Sequence, residues 1–280
     1  MQENIENQLR NQPFSYRDRL TLPREVRFGL EIELENIDYN KVYTLVRKKF
    51  GTSFKIKPDR SLLYSKNAEI ATPVFRNDIK TWKLLSKLGE YLSKLEPTFC
   101  NCGFQVNFDG CLLPSEDDKI RFLKLFAYYE DIIYRFSKGE DLSYRDTLDV
   151  YAAPIILTLK DVLEEKDKSI VLERFSDNKR YGVVFKTKQD LIEFRSPNGT
   201  VNPALWQNYV TLFYYLLRFV FSNKYNQREI DAYIHEYGNM NVLESYEIYH
   251  EEKALKLAKV LFNKQEDRCS FLHHYRGLGR

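Results

Sequence analysis

No run in this chain approaches the ~20 apolar residues of a membrane-spanning helix. The longest apolar stretch, 209–221, is interrupted by Arg218 and is expected as a buried helix. Cysteine and histidine are scarce, with four of each among 280 residues. Cys100 and Cys102 are too close for an easy disulfide and Cys269 stands alone, so no disulfide framework is expected, only the reduced thiols of a cytoplasmic protein. A zinc site drawn from Cys100, Cys102 and Cys111 would have unusual spacing and no nearby histidine. Charge of one sign is lacking too. Lys plus Arg number 43 against 40 Asp plus Glu, leaving +3, which gives no electrostatic footprint for a nucleic acid. The first residues, MQENIENQLRNQPFSYRDRL, are polar and hold no apolar secretory core. There is no internal repeat, low-complexity tract, phosphate-binding glycine loop or serine–histidine arrangement.

Aromatic residues are plentiful, with 20 Tyr and 19 Phe, and the chain has the length and apolar content to bury one large core. Residues 1–26 read as an irregular arm. The first strand is 27–34, where Phe28, Leu30, Ile32 and Leu34 alternate with Gly29, Glu31 and Glu33. A short helix (39–49), strands at 54–57 and 68–72, and a helix at 78–95 follow. The run 103–109 alternates Phe104, Val106 and Phe108 with Gln105, Asn107 and Asp109. Ser115 is expected to cap one long helix ending near Gly139. Strand-like runs at 170–175, 181–187 and 191–196 precede a helix that Asn202-Pro203 starts and that runs to about 221. The remainder, 222–280, reads as helical, clearest at 244–262, with His273 and His274 in a flexible basic tail. An α+β fold follows: a mostly antiparallel sheet with helices packed on one face.

Chemistry is concentrated on the other face of that sheet. Glu31 and Glu33 lie two residues apart on one strand, so their carboxylates point the same way at roughly 7 Å spacing. Glu193 and Arg195 repeat the pattern, with Ile192 and Phe194 facing the core. One exposed glutamate pair is ordinarily a solvated face, but several strands with the same design are not. Gly29 leaves room for a ligand to approach. Rigid carboxylates repel one another unless a cation lies between them, and hard oxygen ligands suit Mg²⁺ or Mn²⁺. Arg195 is a fork for phosphate oxygens or developing charge; its plainer role is an ion pair with Glu193.

These residues carry a resemblance. Phe28-Gly29-Leu30-Glu31-Ile32-Glu33 resembles the opening F-G-x-E-x-E strand of the amidoligase family, carboxylate–amine ligases of the glutamine synthetase and glutamate–cysteine ligase fold. Asp59-Arg60-Ser61-Leu62 is similar to the family's D-x-S turn and Glu69-Ile70-Ala71-Thr72-Pro73 to its E-I-x-[ST]-P element. Cys102-Gly103-Phe104-Gln105-Val106-Asn107-Phe108-Asp109 sits where the family has C-G-x-H-V-H-x-D. Ile192-Glu193-Phe194-Arg195 with Asn198-Gly199-Thr200 resembles its closing E-F-R and G-T, followed by a helix bearing Trp206. The motifs keep the family's order over about two thirds of the chain. The resemblance implies a catalytic domain over 27–221 with a helical extension over 222–280. It also implies an ATP-dependent ligase that phosphorylates a carboxylate and lets an amine displace the phosphate. By it, Glu31, Glu33, Glu69 and Glu193 are candidate metal ligands, and Arg195, Glu193 and Asp59 are candidate catalytic residues. Ser61, Gln105, Asn107 and Arg180 are candidate nucleotide or substrate contacts. ATP and Mg²⁺ (or Mn²⁺) are the expected cofactors, and small or peptide carboxylates and amines the expected partners, with no nucleic acid and no membrane.

The chain departs from the family at Gln105 and Asn107, which replace two histidines. Neutral amides offer oxygen but shuttle no protons. Two rival readings follow: a catalytically impaired nucleotide-binding or scaffold protein of ligase descent, and a metal nuclease. The nuclease reading rests on Pro58-Asp59 and Glu69-Ile70-Ala71, where Ala71 stands in place of the lysine that a P-D…E-x-K core requires.

Overall fold

Strict alternation over 27–35 produces one dry strand face. Phe28, Leu30, Ile32 and Leu34 are buried, and they share the core with Phe104, Val106 and Phe108, with Ile192 and Phe194, and with Ile70. The computed structural model describes residues 15–59, 61–62, 66–139, 145–165, 167–237 and 248–277. Among these, seven strands form one open, antiparallel sheet: β1 (Arg27–Glu35), β2 (Lys55–Lys57), β3 (Asn67–Ala71), β4 (Phe75–Arg76), β5 (Phe104–Asp109), β6 (Val183–Lys186) and β7 (Leu191–Phe194). The order is β2-β3-β1-β5-β7-β6, with β4 also on β1. The register pairs Glu33 with Glu69, Glu31 with Gln105, Gly29 with Asn107, and Asn107 with Glu193. Because side chains alternate with period two, that register places all of these residues on one face.

Eleven α-helices lie among the described residues: α1 (Tyr39–Phe50), α2 (Ile79–Ser93), α3 (Glu116–Tyr128), α4 (Glu130–Ser137), α5 (Leu148–Tyr151), α6 (Ile156–Val162), α7 (Lys168–Arg174), α8 (Pro203–Phe219), α9 (Gln227–Glu236), α10 (Glu251–Leu261) and α11 (Gln265–Arg276). Helices cover the apolar face through aromatic contacts. Trp82 of α2 stacks on Phe28 at 5.3 Å, Trp206 of α8 on Phe104 at 5.9 Å, and Phe213 of α8 on Phe194 at 4.1 Å between ring centroids. Asn202 caps α8 by accepting from the Ala204 amide, and Pro203 opens the helix without sacrificing a needed donor.

Three expectations are corrected. The run 170–175 is helical, not a strand: Asp167 caps the Ser169 amide, and Val171 and Leu172 are buried, α7 packing against α3. The long helix after Ser115 is two helices, separated at Tyr129, whose backbone leaves the helical range at φ −104° and ψ 14°. His273 and His274 lie in no tail. Both are buried in α11, and His274 sits 3.9 Å from the Phe136 ring by centroids, its pKa pushed down to about 3 by burial. The arm is irregular where it is described, and it is docked on the core through the buried Leu20, Leu22 and Val26. Buried Asn77 clasps it, accepting from the Leu20 amide at 3.3 Å and donating to the Leu20 and Leu22 carbonyls at 3.1 and 2.5 Å. Arg17 pairs with Asp267 of α11 at 2.6 Å and exchanges two backbone hydrogen bonds with the Gln207 side chain of α8. The first described residues thus meet α8 and α11 on the helical side of the sheet. Residues 244–247 of the helix expected at 244–262 lie outside the described residues. No helix is long and apolar enough to cross a membrane, among the described residues.

Candidate functional site

The polar face of the sheet lines a cleft of about 410 Å³. Glu31 and Glu33 enter from β1, Glu69 from β3, Gln105 from β5, Glu193 from β7 and Arg195 just beyond it. Asp59 and Ser61 close one end from the turn after β2, and Tyr151, Lys57, Lys179 and Lys186 complete the lining. Asp59 accepts from both the amide (2.8 Å) and the hydroxyl (2.7 Å) of Ser61, while its own amide donates to Asn67 at 2.7 Å. Arg60 of the same turn lies outside the described residues.

Each glutamate of the face has a partner. The Glu33 carboxylate accepts from the Gly103 amide at 2.5 Å and from Gln105 Nε2 at 3.0 Å. Glu31 accepts from Asn107 Nδ2 at 3.2 Å. Lys57 Nζ lies 3.1 Å from Glu69, and Glu193 Oε1 is shared by Arg195 Nη1 at 2.7 Å and Lys186 Nζ at 3.2 Å. Gln105 links the two halves, since its Oε1 accepts from Arg195 Nη1 at 2.9 Å while its Nε2 serves Glu33. Gln105 and Asn107 therefore face the cleft side of the sheet, not the core.

Behind this layer sits Arg145, which no sequence pattern singled out. It is buried, donating to the Pro197 carbonyl at 3.0 Å and the Arg195 carbonyl at 2.9 Å. Gly103 is required next to it, because a Cβ there would run into the guanidinium and lie 3.3 Å from Glu33 Oε2. Burial lowers the Arg145 pKa, and the charge of Glu33 opposes that shift. Burial raises the Glu33 pKa, although Arg145 and the Gly103 amide oppose this. Burial and the nearby Glu31 push Glu69 up to about 7, outweighing Lys57. Desolvation acts to lower the Lys57 pKa, yet the hydrogen bond and charge of Glu69, with Glu31 and Asp59, raise it overall. The two shifts agree on one picture: several carboxylates share a single ammonium.

Eight of the ten residues singled out from the sequence meet in this cleft. Asn107 lies beside it, lining a second, more apolar cavity of about 310 Å³ that also touches Gly29 and Glu31. Arg180 is exposed and lines neither; Lys179 and Lys186 stand on that side instead. Lys57 had a legible signal, being in phase with Lys55 across the buried Ile56, whereas Lys186 is in phase with Val184 and had none. Among the described residues no three His, Cys, Asp or Glu side chains are grouped closely enough to form a metal site as they stand. The donor chemistry nevertheless fits a hard divalent cation: all-oxygen, mostly buried, and held against mutual repulsion. Lys57, whose side chain is 61% exposed, is free to swing out of such a position. All four cysteines are free thiols. No protein-family model matches the chain, and no curated protein matches it.

Proposed function

We propose that the chain is an ATP- and Mg²⁺-dependent ligase (Mn²⁺ serving equally) that activates a carboxylate as its acyl phosphate and joins it to an amine in an amide bond, with the glutamine synthetase-like arrangement of its sheet. One observation carries the reading: a single cleft gathers five carboxylates and four cationic side chains, with Glu69 raised to about 7 by burial and the nearby Glu31. Bound Mg²⁺ would supply positive charge to offset that of the carboxylates and of a triphosphate. Glu31, Glu69, Glu33 and Asp59 are the residues that would hold it. Arg195, anchored through Nε to the Tyr151 carbonyl at 3.0 Å and through Nη1 to Gln105 and Glu193, is prepositioned to meet negative charge developing on the phosphoryl group. Gln105 orients Glu33 and Arg195 together and holds no labile proton, so proton removal from the amine falls to a carboxylate of the cleft.

The test is calorimetric titration of ATP with Mg²⁺ and again with EDTA, followed by phosphate release across a panel of amines. ATP binds only with the divalent cation, because the acidic wall repels a bare triphosphate, and phosphate release depends on an amine. Equal ATP affinity in both titrations would refute the metal-bridged site. A second reading, a ligase-derived protein that binds nucleotide without turnover, draws on the two amides locked onto Glu31 and Glu33. Tight metal-dependent ATP binding with no phosphate release for any amine is its signature.

A further inference from the structure

Strand register sets Lys57 of β2 beside Glu69 of β3, and Glu69 beside Glu33 of β1, a row across the sheet on the cleft side. Lys57 Nζ lies 3.1 Å from Glu69 Oε1, and the charges of Glu31 and Asp59 act on the same ammonium. The cations on Glu193 are built in. The side chains of Arg195 and Lys186 are 8% and 16% exposed, and Arg195 is tied further to Gln105 and to the Tyr151 carbonyl. Lys57 is not built in. Its side chain is 61% exposed, it stands on a three-residue strand at the sheet edge, and Glu69 is its only ion-pair partner among the described residues. In formal charge the lining carries five carboxylates and four cations, so it is one charge short of neutral with Lys57 in place. With Lys57 turned out to solvent it is two short, the deficit that one divalent ion meets.

We propose that Lys57 is a tethered counter-ion that sets the affinity of the cleft for its divalent cation: it holds Glu69 until the cation arrives, and the cation binds only as Lys57 leaves. While it is in place, the ammonium relieves the mutual repulsion of Glu69, Glu31 and Asp59. A lysine suits this role better than an arginine, because it is a point charge on a flexible stem and turns out to water without breaking a fork. An ion pair exposed to this degree is weak and screened by salt, so it opens at little cost. Charge then favours the exchange, since two positive charges replace one beside three carboxylates. The identity of the incoming ion rests on the ligase reading; what Lys57 adds to that reading is competition for Glu69.

The experiment follows Mn²⁺ binding to the full chain without nucleotide, read from the loss of the free-ion signal in electron paramagnetic resonance. Wild type, Lys57→Met and Lys57→Arg are compared at one pH and one low salt concentration, with thermal melting to check that each is folded. Lys57→Met is expected to bind Mn²⁺ about tenfold tighter or more, the scale on which one unit charge acts at this range in a solvated cleft. Lys57→Arg keeps the charge and can fork onto Glu69, so it binds no tighter than wild type. Equal or weaker binding by Lys57→Met overturns the counter-ion and leaves the metal site standing. Tighter binding by both variants overturns it too, because the effect would then not follow the charge. If neither wild type nor Lys57→Met binds Mn²⁺, the metal-bridged site itself is refuted and the counter-ion falls with it.

Discussion

Arg195 shows how much one side chain can be asked to do. Its guanidinium joins the Tyr151 carbonyl, Gln105 and Glu193, and it is 7% exposed. Lysine cannot reproduce that fork. Arg195→Lys is expected to cut turnover on the order of 10²–10³-fold, as loss of a positioned charge stabiliser does. Because it also leaves buried acceptors unpaired, Tm should fall by several degrees, measured by thermal melting beside the activity assay. Wild-type turnover at any Tm would make Arg195 structural only. Glu69 belongs to the same scale. Its carboxyl is raised from 4.5 to about 7, so the folded chain binds its proton more tightly than the unfolded chain does. Its contribution to stability is therefore full below about pH 4.5 and is lost as pH rises toward 7. In metal-free buffer, Glu69→Gln should remove that part of the decline and melt higher than wild type above pH 7. A variant that melts lower there would show that the Lys57–Glu69 pair is a net stabiliser.

At the scale of elements, β5 decides the character of the site. It lies between β1 and β7, so its polar side chains meet the glutamates of β1 on one side and, through Gln105, Arg195 just beyond β7 on the other. Gln105 and Asn107 donate to Glu33 and Glu31, answering negative charge with neutral N–H groups where histidine would offer a lone pair to a metal. Placing histidine at both positions is expected to raise Mn²⁺ occupancy, read by anomalous scattering from soaked crystals. Unchanged metal binding with weaker binding of the amine would instead assign the two amides to substrate. Helix α7 carries the opposite lesson. Ile170 and Val171 favour a strand, yet the Asp167 cap and the burial of Val171 and Leu172 against α3 hold a helix, because packing outweighs a propensity difference of a few tenths of a kcal/mol.

For the whole molecule, the apolar face of the sheet carries α2 and α8, with the described arm and α11 joined to α8, and the polar face carries the cleft. The clasp between Arg17 and Asp267 ties the arm to α11; the Asp267 carboxylate is fully buried, and Thr21 also donates to it. Asp267→Ala should cost on the order of 3 kcal/mol, because it strands a largely buried guanidinium. A Tm lower by roughly 6–10 °C is the corresponding shift. The cleft lies on the opposite face, so the affinity for ATP with Mg²⁺ at low temperature should be unchanged. Calorimetry below the transition checks the second point, and a parallel loss of affinity would show that the helical layer and the cleft are coupled.

Which residues share a face was legible in the sequence, because period-two alternation is a local property: Glu31, Glu33, Gln105, Asn107 and Glu193 could be placed together from their own strands alone. The antiparallel sheet followed from one apolar face per strand, and the capped starts of α3 and α8 from Ser115 and Asn202-Pro203. What the sequence could not contain was the pairing across strands. That Gln105 joins Glu33 to Arg195 depends on β5 lying between β1 and β7. Arg145 reaches the site from a segment with no periodic pattern, and its role exists only because Gly103, Pro197 and Arg195 converge on it. Lys57 was in phase with Lys55, but which carboxylate it meets is a matter of strand order, and Lys186, in phase with Val184, joins the polar face only through the register with β7. Side-chain direction is written in a few neighbouring residues; charge compensation in a buried site is a long-range sum, and only the folded chain performs it.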